Sequence, residues 1–270
     1  MISGWWHALR QRREQASLAR RAIPEPLWQQ TLAALPFLAT RPPDDLQRLR
    51  RLASLFLDRK EFMGAGGFVV DDAIALSVAV QACLPVLELG VEQYDGFVGI
   101  VMHADAVVAR REVTDEHGIV HHYDETLAGE AMEGGPVMLS WTDVVAVHDA
   151  QSSAHAPPSA YNVVIHEFAH VLDMRDGAPD GVPWLPSPKA RADWLAVLMP
   201  AYDRFCERVV CGYDSVLDAY AAEAPDEFFA VASEAFFVTP GALKEEQPAL
   251  YRLLAAYYRQ DPAHPQNRSP

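Results

Sequence analysis

The segment Tyr161-Asn162-Val163-Val164-Ile165-His166-Glu167-Phe168-Ala169-His170-Val171-Leu172-Asp173-Met174 sets two histidines four residues apart, with a glutamate directly after the first. On an α-helix, positions i and i+4 share a face, so the His166 and His170 imidazoles can aim at one metal ion. Glu167 lies about 100° round the helix from His166, and its longer side chain can approach a water on that ion from the side. Two imidazoles, a third ligand from elsewhere and a base beside an open position are the parts of a zinc hydrolase. The plainer alternative is a pair of hydrogen-bonded core histidines with an exposed glutamate. The apolar neighbours Val163, Val164, Ile165, Phe168, Ala169, Val171 and Leu172 weigh against it. They make this a buried helix, where two histidines and a glutamate are costly unless something satisfies them.

Two regions compete for the third ligand. A glycine three residues after the second histidine would turn the chain and bring a ligand three residues later. Asp173 and Asp176 hold those positions. Without the glycine the helix is expected to continue. Asp173 then reads as an acceptor that orients a ligand histidine, and Asp176 as the helix end near Gly177. The other region is residues 220–237, where Pro225, Asp226 and Glu227 suit a helix start. Glu227 and Glu234 are seven apart, hence on nearly the same face, and either could complete a His₂Glu site. The one that does not is left as a supporting or surface glutamate.

The scaffold around these residues reads as α+β with helices dominating. Residues 24–60 read helical, Gly64-Ala65-Gly66-Gly67 reads as a turn, and Asp71-Asp72 opens a helix through about Val86. No Lys-Ser/Thr follows the glycines, so they are not a phosphate loop. Phe97–Val101, Ala106–Val113, Ile119–Tyr123 and Val137–Trp141 read as strands of a small mixed or antiparallel sheet packed on the histidine-bearing helix. Residues 151–160 read as a loop, and helices are expected over about 161–175, 189–208, 225–237 and 241–258. The expected layout is a basic arm over 1–23, a single domain over 24–260 and a tail over 261–270.

The chain has 270 residues, half of them apolar, so it can bury a sizeable core. Its net charge is −15, which argues against direct nucleic-acid binding, since phosphate contacts need a basic face. The charge is uneven: residues 1–60 carry a net +6 and the rest −21. The basic start, Trp5-Trp6-His7-Ala8-Leu9-Arg10-Gln11-Arg12-Arg13, reads as a solvated arm. No transmembrane segment is expected, because no apolar run reaches about 18 residues. Cys83, Cys206 and Cys211 form no disulfide framework, and a reducing compartment, the cytoplasm, fits them. His103, His117, His121, His122 and His148 are irregularly spaced and read as surface or hydrogen-bonded residues, not a second metal site.

The run Ile165–Arg175, with Asp218-Ala219-Tyr220-Ala221-Ala222 and Ser233-Glu234-Ala235-Phe236-Phe237, resembles the Mlc titration factor A family of bacterial zinc peptidases. Gly135-Pro136-Val137-Met138-Leu139-Ser140-Trp141 and Gln81-Ala82-Cys83-Leu84 add to the resemblance, which covers roughly residues 30–258. That family is similar around its active site to the catalytic domain of anthrax lethal factor, where the third ligand is a glutamate seven residues after an active-site tyrosine. Tyr220 and Glu227-Phe228-Phe229-Ala230 match that spacing. The resemblance therefore implies a zincin-like fold, Zn²⁺ on His166, His170 and Glu227, Glu167 as general base and Tyr220 as a transition-state donor. Glu234 joins Asp173 as a supporting residue. It also implies an aminopeptidase-like activity on peptide substrates, and binding of an Mlc-like transcriptional repressor of sugar-uptake genes. A competing reading is a repressor-binding protein with a structural or vestigial zinc site. Glu167 speaks against it, because a structural site needs no base.

Overall fold

The computed structural model of the protein describes residues 11, 12, 14–114, 120–152 and 160–264. The expected arm through Arg10, His117, most of the 151–160 loop and the tail from residue 265 lie outside them, as do the side chains of His121, His122 and His148.

Helix α1 (Glu25–Ala34) starts after Pro24, with Pro26 in its first turn. Helix α2 (Pro43–Arg59) opens with Asp44 and Asp45 and closes with Arg59, charges that suit the two ends of a helix dipole. Leu49, Ala53 and Phe56 form its buried stripe. The sequence reads 24–60 as helical, punctuated by Pro24, Pro26, Pro42 and Pro43 and with a helix start at Pro43. The structure starts a helix at Pro43 and adds a 3₁₀ turn at Pro36–Leu38, because the ring and missing N–H of a proline cannot continue a helical ladder. After strand β1 (Glu61–Gly64) comes α3 (Asp72–Cys83), whose N-cap Asp71 accepts from the Ile74 N–H at 2.8 Å. This helix is buried almost all round, as its unbroken apolar run demands.

Strands β2 (Gly99–His103), β5 (Gly129–Ala131) and β6 (Val137–Ser140) join β1 in a mixed sheet of order β1-β2-β6-β5. β1, β2 and β6 run parallel, with Ile100 opposite Phe62 and Val137, and β5 runs antiparallel to β6. Strands β3 (Val107–Thr114) and β4 (Val120–Leu127) leave this sheet and pair with each other. Two sequence expectations fail here. The β3–β4 hairpin is its own two-stranded sheet, and β1 occupies residues expected to lie in or before a turn. A four-residue strand ending in glycine carries too little alternation to be read.

Helix α4 (Trp141–Ser152) follows β6, and α5 (Val163–Asp173) carries the two histidines. The long α6 (Pro188–Val210) leads to α7 (Pro225–Val238), α8 (Pro240–Glu246) and α9 (Pro248–Tyr258). The expected helix over 241–258 is thus two helices, since Pro248 must begin a new one. Phe168 anchors α5 against Phe56, Tyr94 and Phe97, with ring centroids 4.9–6.0 Å apart. Trp194 of α6 meets both Phe229 of α7 and Tyr257 of α9. Each such buried side chain contributes about 1.5–3 kcal/mol, so α5 and α7 are each firmly anchored in the core. The architecture is helix-dominated α+β, with the small mixed sheet packed on α5. Among the described residues no helix is long and apolar enough to cross a membrane.

Candidate active site

Helix α5 starts at Asn162, whose Oδ1 accepts from the Ile165 N–H at 2.9 Å. That cap sets the helical phase of everything after it. Val163, Val164, Ile165, Phe168, Ala169 and Leu172 are buried, and the remaining face presents His166 and His170, with ring centroids 4.8 Å apart. Helix α7 lies across this face and brings two glutamates to one ring. Glu234 Oε1 is 2.9 Å from His166 Nδ1, and Glu227 Oε2 is 3.0 Å from His166 Nε2. The seven-residue spacing therefore clamps the imidazole at both nitrogens.

His166 Nε2, His170 Nε2 and Glu227 Oε2 form a triangle with edges of 3.1, 3.0 and 3.5 Å. Ligand atoms about 2.0–2.1 Å from a tetrahedral ion lie about 3.3 Å apart, so the triangle has the size of one face of such a site. Glu227 Oε2 is buried and makes no hydrogen bond among the described residues, despite its closeness to both rings. Its oxygen and the two Nε2 atoms lie close enough together for one ion to reach all three, and the two nitrogens are also within hydrogen-bonding distance of each other. This is the group among the described residues that could hold a metal ion, and its donors suit zinc.

The electrostatics agree. Burial pushes the His166 pKa down, but Glu227 and Glu234 outweigh it and raise it well above its ordinary value. Burial pushes the Glu227 carboxyl up, and the two imidazoles outweigh that and hold it well below the usual range. The field that draws a proton to His166 would draw a dication more strongly.

Glu167, on the adjacent face, is 5% exposed. Burial raises its carboxyl and the two histidines oppose the shift. It accepts from the Ala131 backbone N–H, and Gly129 gives it room: a Cβ there would stand 2.5 Å from Oε1. Strand β5 is thus a cradle for this glutamate. Tyr220 sits in a 3₁₀ turn, Ala219–Ala222, with its N–H capped by Asp218 Oδ1 at 2.9 Å. Its ring is 6.1 Å from that of His166. Tyr220, Glu167 and His166 all border a cleft of about 690 Å³, walled by β5, Tyr161 and the loop Ser215–Asp218.

Asp173 does not orient a histidine through a hydrogen bond. Its Oδ2 accepts from the N–H groups of Asp180 and Gly181, and Oδ1 has no partner among the described residues. Burial pushes its carboxyl up to about 6. The physical reason is the helix end: α5 stops at Asp173 and a 3₁₀ turn follows, which points the side chain at the returning loop. Asp176 closes that turn before Gly177, away from the triangle. Sequence reasoning gave no role to Gly129, Asn162 and Gln81. Asn162 carried a legible signal, an asparagine directly before an apolar helix. Gly129 carried none beyond its type.

A helix bearing two histidines and a glutamate, met by a carboxylate from a second helix beside a cleft, is an arrangement that suits a metal-dependent hydrolase. The profile of the glucose-regulated metallo-peptidase M90 family matches residues 8–259, and the chain belongs to that family. It is 37% identical over 238 residues to "Mlc titration factor A" of Escherichia fergusonii, covering 87% of this chain and 86% of that protein. The corresponding protein of Enterobacter sp. (strain 638) is 36% identical with the same coverage. A Synechocystis protein is 35% identical over 263 residues, 97% of this chain and 92% of its own length.

Proposed function

We propose that the protein is a zinc peptidase of aminopeptidase type, with His166, His170 and Glu227 as the metal ligands. The observation that carries this is the convergence of those three donors, one of them a buried carboxylate oxygen without a hydrogen bond, beside a cradled glutamate. Bound zinc would supply Lewis acidity to the scissile carbonyl and to the attacking water. Glu167 takes the proton from that water and delivers it to the leaving amine, a role its raised pKa suits. Tyr220 donates to the oxyanion as it forms, which contributes on the order of 3 kcal/mol. Glu234 accepts from His166 Nδ1–H, which leaves the Nε2 lone pair for the metal. Strand β5 forms an edge of the sheet and borders the cleft, so an extended peptide can lie along it. All these groups fall within a single domain over 24–260.

The test is zinc content and hydrolysis of aminoacyl anilides and internally quenched peptides by wild type and Glu167→Gln. About one zinc per chain in both proteins, with chelator-sensitive cleavage lost in the variant, supports the assignment. Full activity in Glu167→Gln sinks it. The relatives named Mlc titration factor A support a second role, binding of an Mlc-like repressor. A pull-down with the host's own repressor of that type checks it, and failure to capture the repressor removes this role without touching the peptidase.

A further inference from the structure

Behind His166 a chain of hydrogen bonds runs inward to helix α3. The Asn162 backbone N–H donates to Glu234 Oε2, whose other oxygen holds His166 Nδ1. The Asn162 side chain donates from Nδ2 to Gln81 Oε1 at 2.8 Å, and Gln81 Nε2 donates to the Ser77 carbonyl at 3.1 Å. Gln81 and Asn162 are both fully buried, and Glu234 nearly so.

The direction of this chain is fixed at both ends by backbone groups. Ile165 N–H can only donate, so the Asn162 atom it meets is Oδ1 and the one facing Gln81 is the amide nitrogen. The Ser77 carbonyl can only accept, so the Gln81 atom it meets is Nε2. Neither amide can flip without two donors or two acceptors meeting in a dry interior. An apolar side chain at position 81 would fill the same space without this constraint, so packing alone does not account for an amide there.

We propose that Gln81 and Asn162 are positioning residues for the metal centre: together they fix Glu234 against His166 and so set the strength of metal binding. The inference rests on the reading of His166 as a ligand. Asn162 is the joint, since it caps α5 and grips Glu234 through one residue, while Gln81 locks its side chain.

The experiment measures zinc affinity of the full chain by competition with a chromogenic chelator, together with apo-protein melting temperature. The proteins are wild type, Gln81→Met, Asn162→Ser and the double variant. Methionine keeps the volume and helix preference of Gln81, and serine keeps the N-cap. Each single variant is expected to raise the zinc Kd by about 10-fold or more. The double variant should be no worse than the weaker-binding single, because both break one chain. The His166 Nδ1–H resonance of the zinc form should broaden in both singles. A lowered melting temperature with zinc Kd within twofold of wild type would mean the pair only packs the core, and overturns the proposal. Independent, multiplying losses would overturn it too. If one variant fails to fold, the other still decides. A wild type that binds no zinc after reconstitution overturns the metal-centre reading and this inference with it, an outcome distinct from normal wild-type binding that the variants leave unchanged.

Discussion

Replacing Gly129 with alanine tests whether Glu167 works from the place where β5 holds it. The new Cβ would stand 2.5 Å from Glu167 Oε1, 2.6 Å from Cγ and 2.8 Å from Cδ. Ordinary contact is about 3.4 Å or more, so the carboxylate has to retreat by about 0.9 Å. A displacement of about 1 Å in a reacting group can cost about 100-fold in rate. The effect on stability is partly offset. Gly129 has no positive φ, so alanine is free of backbone strain and gains about 0.4–1 kcal/mol through the unfolded chain. Overpacking costs about 1–3 kcal/mol, since Cγ and Cδ of a buried side chain must give way along with the carboxylate oxygen. The expected result on an aminoacyl anilide is a fall of about 100-fold in kcat, KM within about twofold, and unchanged zinc. Adding Glu167→Asp, which shortens the side chain by one methylene, should restore the melting temperature but not the rate. A Gly129→Ala protein with kcat within threefold of wild type would refute the cradle, and so would a loss of rate matched by loss of zinc.

Glu227→Ala should leave two imidazoles and no third donor, so the purified protein should hold far less than one zinc per chain by metal analysis; full occupancy would mean another residue completes the site. Tyr220→Phe should bind zinc normally and lose about 100-fold in kcat, and an unchanged rate would take Tyr220 out of the reaction. Lys60 gives a prediction in pH. Burial holds its ammonium down to about 8, between the carbonyls of Tyr94 and Phe97. An unfolded lysine titrates near about 10.4, so between those values the unfolded chain binds more protons, and the Lys60 contribution to stability rises with pH. From pH 7 to 9.5 wild type should gain about 2 kcal/mol over Lys60→Met in urea unfolding. A difference that does not change with pH would place Lys60 at its ordinary pKa.

Spacing alone puts His166 and His170 on one face, because that follows from helix geometry and needs no knowledge of the rest of the chain. The helix-dominated α+β class was legible for the same reason, in periodicities that are local. What lay beyond the sequence depends on how distant elements meet. Glu227 and Glu234 share a face in any helix, but which one reaches Nε2 of His166 depends on where α7 crosses α5, and the residues by themselves leave the two open. The family resemblance favoured Glu227, and Glu227 is the one whose oxygen meets both Nε2 atoms. Asp173 misled because its direction is set by where α5 ends, within a residue or two. Gly129 was silent and Gln81 entered only through the family resemblance, because the neighbours they touch, Glu167 and Asn162, are far away in sequence.

The distribution of satisfied and unsatisfied charge around α5 bears on why the site sits there. Three glutamates converge on two imidazoles in a largely dry setting, an arrangement that is strongly destabilising unless each group is matched. Glu234 is matched at both oxygens, by Asn162 N–H and by His166. Glu167 has the Ala131 N–H and a cleft at its side. At the triangle, Glu227 Oε2 has no hydrogen bond among the described residues, and it stands 3.0 and 3.5 Å from the two Nε2 atoms. The uncompensated desolvation around the triangle is therefore gathered at one point, where a single cation would relieve it for all three donors. In such an arrangement metal binding and folding stability are one free energy. A cation on the triangle would match the ionisable groups that the core holds there, which is the cheapest way for this fold to keep them buried.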